Sequence, residues 1–505
     1  MYSIINIQPR KYQENIARTA YHKNTLVVLP TGLGKTLIAL MVAVYRLNRY
    51  PNSKALMMAP TRPLCAQHQR TFQTFTNIEN EKIVLVTGKI RKEKRKELYE
   101  KGKVILATPQ CVKNDLENNN LNLRNFSLVV FDEAHRAVKD YPYTYIAKVY
   151  VTQSLMPRIL ALTASPGGTY EKISEIKRNL FIEAVEVRTE FDKDVKPYIK
   201  EIKKKWIYVP MPEKMKEVIE ILNEIIKENI SWLKDHKFVN KSKLSKKELI
   251  ELQSQIIGSV ESGVKFTVAR IVASTIKLMH IKELLETQGV EPALDFLVKM
   301  MKSKKMSDRL LFRDPRMIRI WKKLEELKNE EHPKLKKLVF MVKELVTRNP
   351  KIKIIVFANY RNTVEKIVET LRQNGISAQM LIGQAKRGGR GLSQKEQIKI
   401  IKDFANSKFN VLVTTSIGEE GLDIVDTNVA IFYEPVPSEI RMIQRRGRVG
   451  RQSKGYIIFL ITKGSLDEAF YWAAYHKIKK MRNILYRMKE ENVKKEKKSI
   501  LDWLK

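Results

Sequence analysis

The chain has 505 residues, enough for about three domains at roughly 100–200 residues each. Its 43% hydrophobic and 8% aromatic content excludes wholesale disorder, and its two cysteines exclude a disulfide framework or a four-cysteine zinc site. Ninety-four Lys and Arg stand against 55 Asp and Glu, a net charge of +39. This excess favours a polyanionic partner over a heat-adapted surface, in which both signs of charge would rise together.

No apolar run reaches the ~18 residues that a membrane-spanning helix needs. The longest run, TLIALMVAVY at 36–45, has helical periodicity, and the N-terminal segment lacks the pattern of a signal peptide. The sequence therefore predicts a cytoplasmic protein with no membrane partner. The two cysteines, Cys65 and Cys111, fit a reducing interior, and we interpret them and His68 as packing or surface residues.

Short apolar runs alternate with helical stretches over the first ~190 residues. The runs are LVVL (26–29), ALMMA (55–59), IVLV (83–86), VILA (104–107), LVVF (128–131) and RILALT (158–163). Near-continuous apolar strands separated by helices predict a parallel sheet that is covered on both faces. Because ligand groups gather at the carboxyl ends of such strands, the polar residues that follow these runs are candidates for a site.

From about residue 200 the strand runs stop, and apolar residues take helical spacing. Strand runs resume with IKIIVF (352–357), and Ser393 and Glu396 have the spacing of a capping box. We therefore predict an α/β protein in which an all-helical insertion separates two parallel-sheet domains. The predicted units are 1–198, 199–335, 336–465 and a helical basic tail at 466–505.

A glycine-rich turn follows the first strand run and opens a helix. It consists of Leu29, Pro30, Thr31, Gly32, Leu33, Gly34, Lys35 and Thr36. Backbone N–H groups in such a turn, with the positive end of the helix, bind phosphate groups. Lys35 would reach the β- and γ-phosphates of ATP, and the Thr36 hydroxyl would bind Mg²⁺. Leu29 replaces the first Gly of the full P-loop pattern, but the strand and helix context favours a phosphate site.

The strand run LVVF leads directly into Asp132, Glu133, Ala134 and His135. Asp132, at the strand end, is placed to hold Mg²⁺ through its water shell, and Glu133 to orient and deprotonate an attacking water. Four such residues alone are often only an acidic turn. In the same predicted sheet as a P-loop, they predict a site of ATP hydrolysis.

A third polar motif, QRRGRVGR, occupies 444–451 in the second α/β domain. Gln444 opens it, and if the segment is helical, Arg448 and Arg451 lie one turn apart and face the same side. An arginine that stabilises phosphoryl transfer from another element raises the rate by ~10³–10⁵. The alternative is a basic patch that contacts nucleic acid. With an ATP site in the first domain, catalytic arginines are the favoured interpretation.

These motifs stand in an order that resembles the superfamily 2 DEAH-box helicases. The resemblance implies two RecA-like motor domains, with ATP and Mg²⁺ as cofactors. The segment Arg10-Lys11-Tyr12-Gln13 resembles the adenine-reading element of that family, and TTSIGEEGLD (414–423) resembles the motif that places Asp423 near the ribose. The residues implied to couple hydrolysis to domain movement are His135, Thr163 and Ser165. Those implied to contact DNA are Arg62, Thr108, Asn359 and Thr415.

Within that superfamily, the closest resemblance is to the helicase region of the archaeal Hef and Fanconi-anaemia M translocases. It is carried by LPTGLGKT, by QRRGRVGR and by the position of the helical insertion. The resemblance implies an ATP-driven motor that moves 3′→5′ on single-stranded DNA and acts on forked or branched DNA in repair. It also implies that the helical insertion grips the branched DNA. The same motifs also occur in double-stranded-RNA sensors of the RIG-I type, and an ATP-switched DNA-binding scaffold is a further alternative.

Two expectations concern the C-terminal end. The tail contains no nuclease signature, so we expect no nuclease activity. In KKSILDWLK, Ile500, Trp503 and Leu504 have the spacing of a peptide that binds a sliding clamp. Lys497 stands in place of the usual Gln, which favours an amphipathic docking turn instead.

Overall fold

The computed structural model describes residues 1–199, 202–259, 262–303, 305–328, 330–384, 391–415, 427–436, 438–446 and 455–503. Its strands are β1 Thr25–Val28, β2 Lys54–Met58, β3 Ile83–Val86, β4 Val104–Ala107, β5 Phe126–Asp132, β6 Ile159–Thr163, β7 Ala184–Val187, β8 Ile202–Val209, β9 Ile354–Phe357, β10 Ala378–Leu381, β11 Val411–Thr414, β12 Val429–Phe432 and β13 Gly455–Thr462.

The first helix precedes β1, and the others lie between and after the strands. They are α1 Lys11–His22, α2 Lys35–Arg49, α3 Arg62–Phe75, α4 Lys92–Lys101, α5 Pro109–Glu117, α6 Pro142–Gln153, α7 Tyr170–Asn179, α8 Glu213–Asp235, α9 Lys246–Ser259, α10 Ser262–Thr287, α11 Val290–Met301, α12 Met306–Leu311, α13 Pro315–Glu326, α14 Pro333–Arg348, α15 Arg361–Gln373, α16 Gln394–Ala405, α17 Glu439–Arg446 and α18 Leu466–Trp503.

The first sheet has seven strands in the order β3-β4-β2-β5-β6-β1-β7, and every pair within it is parallel. Two apolar clusters cover its two faces, as the continuous apolar runs predict. The P-loop follows β1, and the Asp132 motif follows β5. Because β1 and β5 flank β6, their carboxyl ends bring both motifs to one edge of the sheet.

The second sheet has six strands, in the order β10-β11-β9-β12-β13-β8, and is also parallel throughout. It too carries one apolar cluster on each face. The capping box predicted before α16 is present, because the Ser393 side chain accepts from the Glu396 N–H and the Glu396 side chain accepts in return. Two parallel-sheet domains with helices between them therefore confirm the predicted fold class.

Strand β8 departs from the sequence prediction. It lies inside the range 199–335, which the sequence assigns to an all-helical insertion, yet all eight of its residues pair with β13 of the second sheet. Its sequence, IKKKWIYV, lacks the apolar run of a buried strand because it is the last strand of the sheet and most of its side chains are exposed. Lysine is common on such sheet edges, where it discourages further pairing.

The helical insertion is consequently an insertion into the second domain. The chain adds β8 to that sheet, forms α8 to α13, and returns through α14 to β9. Two apolar clusters hold the insertion together, the larger one between α8, α10, α11 and α13. The insertion also touches the second sheet at its rim, where the Tyr360 hydroxyl donates to Glu283 Oε1 at 3.4 Å.

Helix α18 joins the two sheet domains. One apolar stripe runs along it, but its first part packs on the second sheet and its later part on the first sheet. Ile478 packs in the core of the second sheet, whereas Met481, Leu485 and Met488 are buried in the core of the first. At its first turn, the Leu466 N–H donates to Glu286 of the insertion at 3.0 Å. A single helix thus contacts three units of the protein.

Polar contacts reinforce the grip of α18 on the first domain. Tyr486 donates to Asp192 at 2.7 Å, and Arg482 binds Glu190 at 2.7 Å.

Within the described ranges, no helix combines the length and apolarity that crossing a membrane requires.

We predict that Leu485→Ala destabilises the protein by ~2–5 kcal/mol, because Leu485 is buried against the first sheet and its loss leaves a cavity. Denaturant unfolding measures this change. Asn483→Ala, at an exposed position on the same helix, is the matched control. Equal unfolding midpoints for the two variants would show that α18 does not hold the first domain in solution.

Candidate functional site

The P-loop forms a tight turn between β1 and α2. Gly32 and Gly34 both have positive φ, +83° and +75°, a conformation that other L-residues rarely adopt. Helix α2 begins at Lys35 without a side-chain cap, so its first-turn N–H groups face the loop. The Lys35 ammonium donates to the Leu29 carbonyl at 3.0 Å. This open helix start is suited to an anion.

Gln13, the predicted adenine contact, lies against this loop. Its Nε2 donates to the Leu33 carbonyl at 3.1 Å, and its Oε1 accepts from the Arg10 N–H at 2.8 Å. The Arg10 guanidinium lies 4.7 Å from the ring centroid of Tyr198. Gln13 therefore braces the P-loop and Arg10 lies next to Gln13, while the adenine contact itself stays a prediction.

Asp132 and Thr36 meet through a histidine. His68 Nε2 lies 2.9 Å from Asp132 Oδ2, and its Nδ1 lies 3.4 Å from Thr36 Oγ1. Burial raises the pKa of Asp132, but the hydrogen bond and charge of His68, with Lys35 nearby, outweigh it, so the pKa lies below its usual value. The Asp132 carboxylate therefore stays ionised, as a metal ligand must.

The interpretation of His68 as a packing residue agrees with its burial, but the side chain also makes specific polar contacts. His68 is buried, and it connects the two predicted Mg²⁺ ligands. Its place on α3 is set by a turn that begins six residues earlier, so no local motif marks it. The sequence contains one indirect signal. Helix α3 follows β2, and β2 is the neighbour of β5, so residues of α3 can come close to Asp132 at the end of β5.

Glu133 has an unusual backbone and a carboxylate oxygen without a hydrogen bond of good geometry. Its φ is +52°, and its buried Oε2 accepts no hydrogen bond from the described residues. That oxygen lies 3.3 Å from His135 Nδ1. A strained, incompletely satisfied carboxylate is typical of a functional site.

The two predicted Mg²⁺ ligands fit such an ion by their chemistry. Mg²⁺ prefers oxygen ligands and usually keeps several waters, so it needs a few protein oxygens and the phosphates, not a closed cage. Thr36 and Asp132 supply a hydroxyl and an ionised carboxylate at one sheet edge. Both residues contact His68, so a bound ion would take the place of those contacts.

A hydrogen-bonded chain leads from the Asp132 motif to α18. His135 Nδ1 lies 3.2 Å from Thr163 Oγ1, and Thr163 Oγ1 accepts from the Ser165 N–H at 3.1 Å. The Ser165 hydroxyl donates to Met481 Sδ at 3.1 Å. The three predicted coupling residues are therefore adjacent, and they end on the helix that also packs on the second domain. No pattern in the sequence predicts Met481 as their partner.

A buried polar network lies at the edge of the second sheet. Asn359 Oδ1 accepts from Arg445 at 2.8 Å, and the Asn359 N–H donates to Glu434. Arg445 also donates to the Glu434 carbonyl at 2.9 Å, and Thr363 donates to the Glu434 carboxyl at 3.2 Å. Burial raises the pKa of Glu434 to about 7, although the Asn359 N–H partly opposes the shift. The network fixes α17 against the strand end that carries Asn359.

The other predicted DNA contacts also stand at strand ends. Arg62 opens α3 after β2, Thr108 precedes α5 after β4, and Thr415 follows β11. Thr415 is buried, whereas Arg62 and Thr108 are partly exposed. Their contact with DNA stays a prediction.

Several predicted residues cannot be placed. Asp423, Arg448 and Arg451 lie outside the described residues, and so does the side chain of Gln444, whose backbone belongs to α17. Leu504 and the side chains of Ile500 and Trp503 are outside them as well. The roles of these residues remain those that the resemblance implies.

Three family models match the chain. The DEAD/DEAH box helicase model matches residues 10–173, and the helicase conserved C-terminal domain matches 334–453. A helical-bundle model of ATP-dependent RNA helicases matches 214–331. The three matched ranges correspond to the first domain, the second domain and the helical insertion, respectively.

Individual proteins are similar over nearly the whole chain. A Methanocaldococcus jannaschii protein named as an ATP-dependent RNA helicase is 44% identical over 95% of this chain, which spans 61% of that protein. An ATP-dependent DNA helicase of Neurospora crassa is 32% identical over 92% of this chain, which spans 42% of it. The crystal structure of the Pyrococcus furiosus Hef helicase domain matches with a TM-score of 0.73 and 43% identity, covering 92% of this chain and 98% of that one.

We predict that Gly34→Ala lowers both stability and the affinity for nucleotide. The left-handed backbone costs an alanine ~1–2 kcal/mol, and its Cβ would stand 2.4 Å from Gln13 Nε2. Gly375→Ala is the matched control, because Gly375 has nearly the same φ, +74°, with open space around it. Titration with a fluorescent ATP analogue should show weaker binding for Gly34→Ala alone. Equal affinities would contradict a role for the loop in phosphate binding.

A second prediction concerns pH. The fold raises the pKa of Glu434 to about 7, so the folded state favours the protonated carboxyl. The contribution of Glu434 to the free energy of unfolding is therefore lost as pH rises from about 4.5 through about 7. Glu434→Gln removes this loss. The variant should therefore gain up to about 3 kcal/mol relative to the parent over that window.

Chemical unfolding at several pH values measures this gain, with the exposed Glu344→Gln as control. A difference between Glu434→Gln and the parent that does not change with pH would contradict a protonated Glu434.

Proposed function

The chain belongs to the superfamily 2 DEAD/DEAH box helicases of the Hef type, and from this we propose that it is an ATP-driven DNA motor. Its substrate in this proposal is forked or branched DNA during replication-fork repair, on which it moves 3′→5′. The single observation that carries the proposal is the convergence of Lys35, Thr36, Asp132 and Glu133 at one edge of the first sheet.

In the proposed reaction, the P-loop N–H groups and Lys35 bind the phosphates of ATP. Thr36 and Asp132 hold Mg²⁺, which neutralises phosphate charge when bound. The Glu133 carboxylate, whose buried Oε2 makes no hydrogen bond with the described residues, orients the attacking water and accepts its proton. Arg448 and Arg451, with Gln444, complete the site from the second domain and stabilise the transferred phosphoryl group.

We propose that hydrolysis is transmitted through the chain of hydrogen bonds from His135 to Met481. Loss of the γ-phosphate changes the contacts of Glu133 and His135, and Thr163 and Ser165 carry that change to α18. Because α18 packs on both sheets, a shift there alters the position of one domain relative to the other. This is the step that converts chemistry into movement.

The DNA strand is proposed to cross the carboxyl ends of both sheets, over Arg62, Thr108, Asn359 and Thr415. Such groups contact phosphate and sugar, so they are blind to sequence. The insertion would grip the branch point, and its attachment to the second sheet supports movement of the two together. The net charge of +39 supports a polyanionic substrate.

A second candidate keeps the motor and changes the substrate to double-stranded RNA. It is favoured by the names of the Methanocaldococcus relative and of the helical-bundle model, which both refer to RNA helicases. A scaffold that uses ATP only as a switch is disfavoured, because it would not need Glu133. A sliding clamp remains a proposed partner through Ile500, Trp503 and Leu504.

We predict that Glu133→Gln lowers the rate of ATP hydrolysis by ~10²–10⁴ and abolishes unwinding, because no general base remains. Lys35→Ala should also abolish unwinding, through loss of phosphate binding. Both variants should keep much of their DNA affinity in a binding assay. Glu93→Gln, at an exposed position on α4, controls for loss of a carboxylate. Normal unwinding by Glu133→Gln would refute the motor.

The substrate is tested by the steady-state ATPase rate with equal nucleotide amounts of single-stranded DNA, duplex DNA, forked DNA and double-stranded RNA. Salt must be fixed, because so basic a chain binds any polyanion at low salt. Forked DNA should stimulate most. Stimulation mainly by double-stranded RNA would favour the second candidate, and none by any of them would favour the scaffold.

A further inference from the structure

An exposed aromatic surface lies at the β8 edge of the second sheet, next to α18. Trp206 and Tyr208 of β8 are 40% and 46% exposed, and Trp472 and Tyr475 of α18 are 43% and 45% exposed. Large rings exposed together are uncommon on a monomeric surface unless something binds there. We call these four residues the edge surface.

The rings of this region form a continuous path. Trp206 lies 6.2 Å from Tyr471, which lies 6.4 Å from Tyr475, and Tyr475 lies 5.6 Å from Trp472, all measured between ring centroids. Trp206 is also stacked at 5.9 Å on Phe459 of the neighbouring strand β13. The buried rings hold the exposed ones in place, so the edge surface is rigid.

The exposed part of α18 follows helical spacing. Trp472, Tyr475, His476 and Lys479 stand at i, i+3, i+4 and i+7, and all four are exposed. The opposite face of the helix packs on the sheet through Tyr471, Ala474 and Ile478. The stripe therefore points away from the protein, where a ligand has access to it.

The exposed side of α18 next to the edge surface is positively charged. Lys477, Lys479 and Lys480 follow the rings along the helix and are exposed, whereas Arg482 and Lys489, further along, face Glu190 and Glu186 of the first domain. Strand β8 contains Lys203, Lys204 and Lys205 and no carboxylate, and the β-alternation puts Lys204 on the same face as Trp206. Lysines that only protect a sheet edge would explain the charge, but they would not explain four exposed rings.

From these observations we propose that the edge surface binds a single strand of DNA, whose bases stack on the rings and whose phosphates face the lysines. Stacking suits any base because each has a π-face, and the positive charge follows the backbone. The site is separate from the proposed path over the strand ends, since β8 is the last strand of the sheet. The choice of DNA over RNA rests on the proposed function, whereas the stacking does not.

The position of the strand is tested by photocrosslinking in the absence of ATP. An oligodeoxynucleotide that carries iodouracil is irradiated with the full chain, and the crosslinked peptides are mapped. We expect crosslinks at Trp472, Tyr475 or Trp206. Crosslinks confined to other parts of the chain would overturn the proposal.

The energetics are tested with Trp472→Ser combined with Tyr475→Ser, two half-exposed rings on the solvent side of α18. The pair should weaken single-strand binding at least about tenfold, since each lost stack removes base–ring contact. Lys479→Glu should weaken binding as well and reduce its dependence on salt. A thermal unfolding curve verifies that each variant is folded.

The matched control is Phe340→Ser. Phe340 is an exposed ring 5.4 Å from Lys337, but α14 packs on the opposite face of the second sheet. It should leave the affinity unchanged, and equal losses for the control and the edge variants would overturn the proposal.

Two further binding experiments distinguish single-stranded DNA from other possible ligands of the edge surface. An RNA oligonucleotide bound more tightly than DNA at the same surface would overturn the choice of DNA. If the edge variants bind DNA normally but no longer bind a polyglutamate peptide, the surface serves an acidic protein and the proposal fails. Because all these measurements omit ATP, they fail independently of the motor function.

Discussion

The packing of α18 across both sheets is the constraint on which the arrangement of the protein depends. A helix that buries Ile478 in one core and Met481, Leu485 and Met488 in the other makes the two domains share an element. Interiors are close-packed, so such a helix has a few discrete positions and no continuum of them. Ser165, one of the predicted coupling residues, donates to Met481, which connects the proposed nucleotide site to the helix that packs on both domains.

The carboxyl ends of the parallel strands are the second determinant. Strand order places the ends of β1, β5 and β6 side by side, so a P-loop, an acidic pair and a Thr-Ser pair that are distant in sequence become neighbours. In the second sheet, the same edge holds Asn359 against Arg445. Asp132, Thr36 and Lys35 at the edge of the first sheet already have partners within the protein. A ligand must therefore compete with His68 and with the Lys35–Leu29 contact.

Much of this followed from the sequence, because buried parallel strands have continuous apolar runs and the P-loop has a fixed chemistry. What was missed has physical reasons. Strand β8 is an exposed edge and carries three lysines, and β10, with the sequence AQML, has no β-branched residue to mark it. His68 and Met481 act through contacts that cross 64 and 316 residues, and a pattern of local spacing contains no trace of such contacts. The order of the motifs was sufficient to predict the fold class, but it could not predict the contacts of His68 and Met481.

The attachment of the insertion to the second sheet makes it a replaceable module. Its first and last residues lie together, since Pro212 and Met215 line the same small cavity as His332 and Pro333. A segment whose ends meet can lengthen, shorten or exchange its contents while the register of β8, β13 and β9 stays as it is. Evolution can therefore change the insertion, and with it what the protein is proposed to recognise, without changing the two sheet domains.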